Sequence, residues 1–138
     1  MFNILSLLNR QLKRILEKIE RDRNYKLNFG LIGIVVIQKA IDTYLTYKAL
    51  EEDENFVELN PFMKRIIRNK PLVYFLNGLY GETLLSLNYL AKKVGDHYNY
   101  PDLNKVATVG LGINILGNFY VIGRNLYALR EMRERAKI

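Results

Sequence analysis

Charged side chains fall almost entirely outside three apolar windows. Between Lys26 and Glu51 the chain carries only Lys39, Asp42 and Lys48; between Lys70 and Lys92 only Glu82; and between Lys105 and Arg130 only Arg124. A bilayer core about 30 Å thick takes about 20 helical residues at about 1.5 Å each, so every window is long enough to cross it. The pattern predicts spans over about 27–50, 71–91 and 106–129. Val106 to Gly123 has no charge and is the firmest, with the second window nearly as good. The uncharged part of the first runs only from Leu27 to Gln38, which would equally suit a buried helix of a soluble bundle. Glycine use favours the membrane: every glycine except Gly95 lies inside a window. Glycine costs a water-exposed helix about 1 kcal/mol relative to alanine, but between membrane helices it lets backbones approach.

The flanks predict further elements. Leu5, Leu8, Leu12, Ile15, Leu16 and Ile19 recur at helical spacing, with Arg10, Lys13, Arg14, Lys18 and Arg21 on the remaining surface. Residues 1–26 therefore read as an amphipathic basic helix, suited to an anionic leaflet or a partner subunit. Arg10 interrupts its apolar part and no small-residue cleavage site follows, so it is expected to be retained. After the acidic patch Glu51 to Glu54, Asn60-Pro61 is an N-cap followed by a first-turn proline, predicting a short interfacial helix over Pro61 to Asn69. Phe62, Ile66 and Ile67 would dip into the interface there, while Lys64, Arg65 and Arg68 stay wet. Lys93 to Lys105 reads as a loop, and 130–138 as a charged tail. The fold class is all-α: a three-span membrane bundle over 27–129 with an amphipathic N-terminal helix and a short interfacial one.

Composition narrows the chemistry. The 138 residues carry 21 Lys plus Arg against 14 Asp plus Glu, a formal charge of +7, with one histidine and no cysteine. Disulfides, thiolate metal sites and cysteine nucleophiles are excluded, and His97 alone makes a histidine-rich metal site improbable. No phosphate-binding loop, dinucleotide fingerprint, HExxH or nucleophile elbow is present, so neither catalytic residues nor a cofactor nor a metal is expected. The basic residues concentrate in tails and short flanks rather than on one face, which argues against nucleic acid as a partner. Ten tyrosines and no tryptophan remain. Tyr25, Tyr74, Tyr89, Tyr98, Tyr100 and Tyr127 lie near window ends, as an interfacial belt would, whereas Tyr44, Tyr47, Tyr80 and Tyr120 are deeper and expected to hydrogen-bond inside the bundle.

The candidate site is the set of polar residues inside the windows, because an intramembrane charge costs several kcal/mol and faces a partner or water. Lys39 and Glu82 each lie eleven residues in from Leu50 and Pro71, or about 16 Å at helical rise. They are level, and an ion pair between them is the expected contact. Asp42 is one turn away and could share that pair or meet Arg124; Thr46 continues the stripe. On the third span Gly110, Asn114, Gly117, Asn118, Val121 and Asn125 repeat at three or four residues, and on the second Asn77, Gly78, Gly81, Glu82 and Asn88 fall broadly together. Such a cluster either fixes packing or lines a cation or proton path.

Asp42-x-x-x-Thr46, followed by Glu58-x-Asn60-Pro61, resembles a family of small membrane proteins, domain-of-unknown-function family 5658. The resemblance covers about residues 28–128, and Asn125 is similar to a polar position of that family. It implies about three spans and a membrane location, with no known activity. Two features depart from it: Glu82 stands where a basic residue is expected, and the basic N-terminal helix lies outside the common region. The expectation is an integral membrane protein with a cytoplasmic N-terminus, whose partners are the lipid bilayer and other membrane subunits or further copies of itself. It would act as an accessory or structural subunit and not as an enzyme. The alternatives are an ion or proton conductor and a soluble basic bundle that binds nucleic acid.

Overall fold

The computed structural model describes residues 2–53, 61–100 and 102–137, of which the side chains of 2–5 and 61–63 are not described. The described residues are helical, in the order α1 (Phe2–Glu52), α2 (Pro61–Ile66), α3 (Lys70–Tyr98) and α4 (Leu103–Arg135). The first proline is Pro61, beyond the end of α1, and no glycine precedes Gly30, so nothing breaks the helix between the N-terminal segment and the first window. The amphipathic segment 1–26 and the first window are therefore one continuous rod rather than two elements at an angle. Residues 6–19 of it stand beyond the bundle, nearly all exposed.

α1, α3 and α4 pack up, down, up. Thr43 meets Asn77 while Asn28 meets Asn88, so α1 and α3 are antiparallel. Asn28 meets Thr108, Gln38 meets Asn118 and Asp42 meets Asn125, so α1 and α4 run parallel. α1 is the central helix, packed most extensively on α4, and α3 touches α4 only lightly. The α1–α4 seam follows a seven-residue spacing on α1: Asn28, Val35, Asp42 and Ala49 meet Asn104, Leu111, Asn125 and Leu129 on α4.

The turns explain the ends. Asn69 caps α3 by accepting from the Leu72 amide at 3.1 Å, two residues ahead of Pro71. At the other end Asn99 takes the left-handed conformation, φ 55°, and Tyr100 N–H returns to Gly95 O at 3.0 Å. A Cβ on Gly95 would lie 3.1 Å from that returning Tyr100 carbonyl, so glycine is what lets the turn close here. The segment Lys93 to Lys105, expected as a loop, is mostly helical: this turn shrinks it to Asn99–Asp102, and His97 belongs to the last turn of α3.

Two helices, α1 over Ser6–Glu52 and α4 over Leu103–Arg135, are long and apolar enough to cross a membrane. α3 is long enough but fails on polarity, since Asn77, Glu82, Thr83, Ser86 and Asn88 interrupt it. The sequence ranking, which placed this window ahead of the first, is reversed.

Candidate functional site

The interior alternates polar and apolar layers along α1. The first polar layer holds Arg21, Asn24 and Asn28; then Ile32 and Val35 pack on Leu111. Gln38, Asp42 and Thr43 make a second polar layer, followed by Leu45 and Ala49 on Leu129 and by Tyr47 on Ile67 and Val73. Polar side chains in such a position must bond to each other, because water cannot reach them cheaply.

Most of them do so, in three knots. In the first, Asn28 Nδ2 donates to Asn88 Oδ1 at 2.9 Å, Asn28 Oδ1 accepts from Thr108 at 2.7 Å, and Asn88 Nδ2 donates to Tyr25 O at 3.3 Å. Fully buried beside it, Asn104 leaves both its amide N and O without a protein partner. In the second, Gln38 donates to Ile115 O at 3.1 Å and accepts from Asn118 at 3.3 Å. Asn118 donates also to Asn114, which donates on to the Tyr80 hydroxyl at 2.8 Å. In the third, Asn125 Nδ2 donates to Asp42 Oδ1 at 2.7 Å, and Thr46 Oγ1 donates to Asp42 O at 3.0 Å. Thr43 accepts from Asn77 at 2.6 Å nearby.

The structure thus brings together Asp42, Thr46 and Asn125, and separately Asn114 and Asn118. It does not join Lys39 to Glu82. No ion pair links Lys39 to any described residue; its ammonium stands 6.0 Å from the Tyr80 ring centre. Glu82 is exposed on the outer side of α3 because α1 contacts α3 through Gly81, one residue and about 100° away. Arg124 is likewise exposed and meets no described carboxylate, as its neighbour Asn125 takes the inward position. Glu58 and Asn60 of the family-like motif, and Glu54 of the acidic patch, lie outside the described residues, while Pro61 opens α2.

Other expectations are corrected too. Gly30, Gly33, Gly78, Gly110, Gly112, Gly117 and Gly123 have nothing within 4 Å of an added Cβ, so they face outward rather than packing the bundle. Gly81 alone of the window glycines is tight, 3.0 Å from Val36 Cγ2. Ile67 is buried against Tyr47, whose hydroxyl donates to Ile67 O, instead of dipping outward, and Ile66 is half-buried. Tyr80 and Tyr47 do bond within the bundle, but Tyr44 and Tyr120 are 56% and 73% exposed.

Ion pairs sit at the two ends. Near the α3–α4 turn, Lys92 bridges Asp22 at 2.8 Å and Asp96 at 2.9 Å, and Lys105 reaches Glu20 at 3.7 Å. Buried Arg21 lies 3.2 Å from Asp96 Oδ1 through Nε, at an angle too bent for a hydrogen bond, and donates from its terminal nitrogen to Asn99 at 3.3 Å. The hydrogen bond from Lys92 holds the Asp22 carboxyl below the ordinary 3.8, and the same pairing, with Asp96, raises the Lys92 ammonium. At the opposite end Arg133 meets Glu52 at 2.6 Å and lowers its carboxyl. Between the levels of Asp22 and Lys48 on α1, no ion pair joins two described residues. At helical rise those levels are about 39 Å apart.

No family model, curated protein or solved structure matches the chain. The resemblance to family 5658 rests on the motif residues alone. Sequence reading missed Asn28, Gln38, Thr43 and Asn104; the seven-residue spacing of Arg21, Asn28, Val35, Asp42 and Ala49 was there to find Asn28, but it does not reach the other three.

Proposed function

We propose that the chain is a three-span integral membrane protein with a cytoplasmic N-terminus that serves as an accessory or structural subunit of a larger membrane assembly and carries no catalytic activity. The supporting observation is an inverted distribution of polarity. Asn28, Gln38, Thr46, Asn88 and Asn104 are 8% exposed or less, while Val106, Ile113, Leu116 and Phe119 are 60% exposed or more. A soluble helix turns such side chains inward; here only 11% of the most apolar window of α4 is buried. In lipid the same arrangement is favourable, since apolar faces meet acyl chains and amides bond to one another.

Two spans satisfy length and apolarity outright, and α3 joins them as the third because its Asn77 and Asn88 turn inward to bonded partners. The subunit role follows from what stays uncovered. Leu8, Leu12, Ile15 and Ile19 form an apolar stripe on the protruding arm of α1, 55–59% exposed and flanked by basic residues. A three-helix bundle has no use for this stripe, and a helical partner does. Copurification of the full chain in mild detergent is expected to yield a stoichiometric partner that is lost when Leu8, Leu12 and Ile15 are changed to serine. A chain that purifies alone from native membranes would overturn the subunit role.

Conduction is the second reading, favoured by a groove of about 410 Å³ that is lined by Lys39, Asp42, Thr43, Asn77 and Tyr80 among others. Proton flux into vesicles that is abolished by Asp42→Asn without loss of fold would establish it.

A further inference from the structure

We infer that two copies of this chain associate side by side, in the same orientation, through a Lys39–Glu82 ion pair formed between copies. The inference rests on the membrane reading and names one partner for the proposed subunit. The two groups are level: Lys39 stands over Tyr80, and Glu82 follows two residues later on α3, which is about 3 Å along the axis. Neither has an ion-pair partner among the described residues. Both lie in the belt that holds no ion pair; Glu82 faces out of it, where a lone charge is costly, and Lys39 lines a groove with Asp42.

Their directions exclude a pair within one chain and suit one between chains. Glu82 projects outward from α3, whereas Lys39 lines the open groove of about 410 Å³ between α1 and α3, with Thr83 on its rim. A second copy in the same orientation keeps Glu82 at the height of its neighbour's Lys39. Gly78 and Ser86, one turn to either side of Glu82, are also exposed, and nothing stands within 4 Å of a Cβ on Gly78. The approaching helix therefore meets small residues around the carboxylate and can come close enough for it to enter the groove. Charge complementarity selects the occupant: opposite unpaired charges at one level on one molecule are satisfied by another copy of it.

The test uses the full chain, which lacks cysteine. Two differently tagged copies are co-expressed, one carrying Lys39→Cys and the other Glu82→Cys; mild oxidation of membranes is expected to give a disulfide between the tags. Light scattering in mild detergent is expected to show a dimer whose dissociation constant rises about a hundredfold in Glu82→Gln, the effect of removing one partner of a desolvated pair. Lys39→Glu should disrupt it equally, and Lys39→Glu with Glu82→Lys should restore it, with helicity by circular dichroism unchanged throughout. A monomeric wild-type chain, a dimer indifferent to Glu82→Gln, or a swapped variant that stays monomeric would overturn the inference. Carbonate extraction reads the bilayer separately: a chain that is washed free yet dimerises through this pair loses the membrane reading and keeps the pair.

Discussion

The middle of the bundle and its turn end solve the same problem, how to join helices through polar groups, with different chemistry. In the middle the partners are neutral: Asn28 with Asn88, Gln38 with Asn118, and Asn114 with Tyr80, leaving Asp42 as the one carboxylate held by an amide. At the turn end they are charged, with Arg21, Asp96, Lys92 and Asp22 in one network and Lys105 with Glu20 as a separate pair. The amide knots lie where the outer surface is Val, Ile, Leu and Phe, and the ion pairs where it is Lys, Arg and Glu. Ion pairs at a wet boundary need little desolvation, whereas amides give up far less on entering an apolar medium. On the proposed membrane reading the change of chemistry marks where water stops, and the interval of about 39 Å between the two sets of ion pairs would hold a hydrocarbon core of about 30 Å with room for headgroups.

The contrast can be broken most severely at Asp42. Replacing Asn125 with leucine removes the amide that donates to its carboxylate inside the belt and is expected to destabilise the bundle by about 3 kcal/mol. Unfolding in mixed detergent micelles measures it, and Asp42→Leu added to Asn125→Leu should return part of the loss. The neutral pairs are weaker. Gln38→Leu or Asn118→Leu alone should cost about 1–2 kcal/mol, because each leaves its partner with one bond fewer, and the double variant should cost less than the sum of the two.

The ion pairs at the turn end respond to pH. The Asp22 carboxyl is depressed below 3.8 by Lys92, so its contribution is complete above that value and disappears as pH falls through the native one. Lys92, raised above 10.5 by Asp22 and then Asp96, contributes below that value and is lost as pH rises through its native one. Amide exchange at residues 95–100 is therefore expected to quicken below about pH 3.8 and above about pH 10.5, while the amides around Gln38 and Asn118 remain protected. The smallest effect concerns glycine. Gly117→Ala, which meets nothing within 4 Å, should leave the stability of an isolated copy unchanged within about 0.5 kcal/mol. Gly95→Ala presses on the Tyr100 carbonyl at 3.1 Å and should lower it measurably.

How much of this was legible in the sequence follows from which signals are local. The helical class and the long apolar stretches of the first and third windows are encoded within a few residues of each other, whereas the caps at Asn69 and Asn99 were missed, Asn69 being expected to end the short helix and Asn99 to lie in a loop. The inward place of Asp42, Thr46, Asn114, Asn118 and Asn125 was readable because polarity inside an apolar window demands a partner. Lys39 and Glu82 were level as expected, but level is a one-dimensional property, and pairing needs the rotation of each helix. That rotation is set by Gly81 against Val36, a contact 45 residues apart in the chain that no local pattern announces. The glycines misled for the same reason: small residues in an apolar window permit close packing without stating whether the neighbour belongs to the same molecule.

The central claim is that the apolar belt is covered by lipid rather than by water, and single cysteines introduced into this cysteine-free chain test it most directly. Ile113 and Leu116 are 66% and 71% exposed in the folded bundle, and Glu134 beyond the belt is exposed as well. In sealed vesicles opened to give access from both sides, a membrane-impermeant maleimide is expected to label Glu134→Cys readily and to leave Ile113→Cys and Leu116→Cys unmodified until detergent or denaturant is added. Labelling of all three at similar rates in the intact membrane preparation would contradict the account, because surface exposure in the fold would then mean exposure to water.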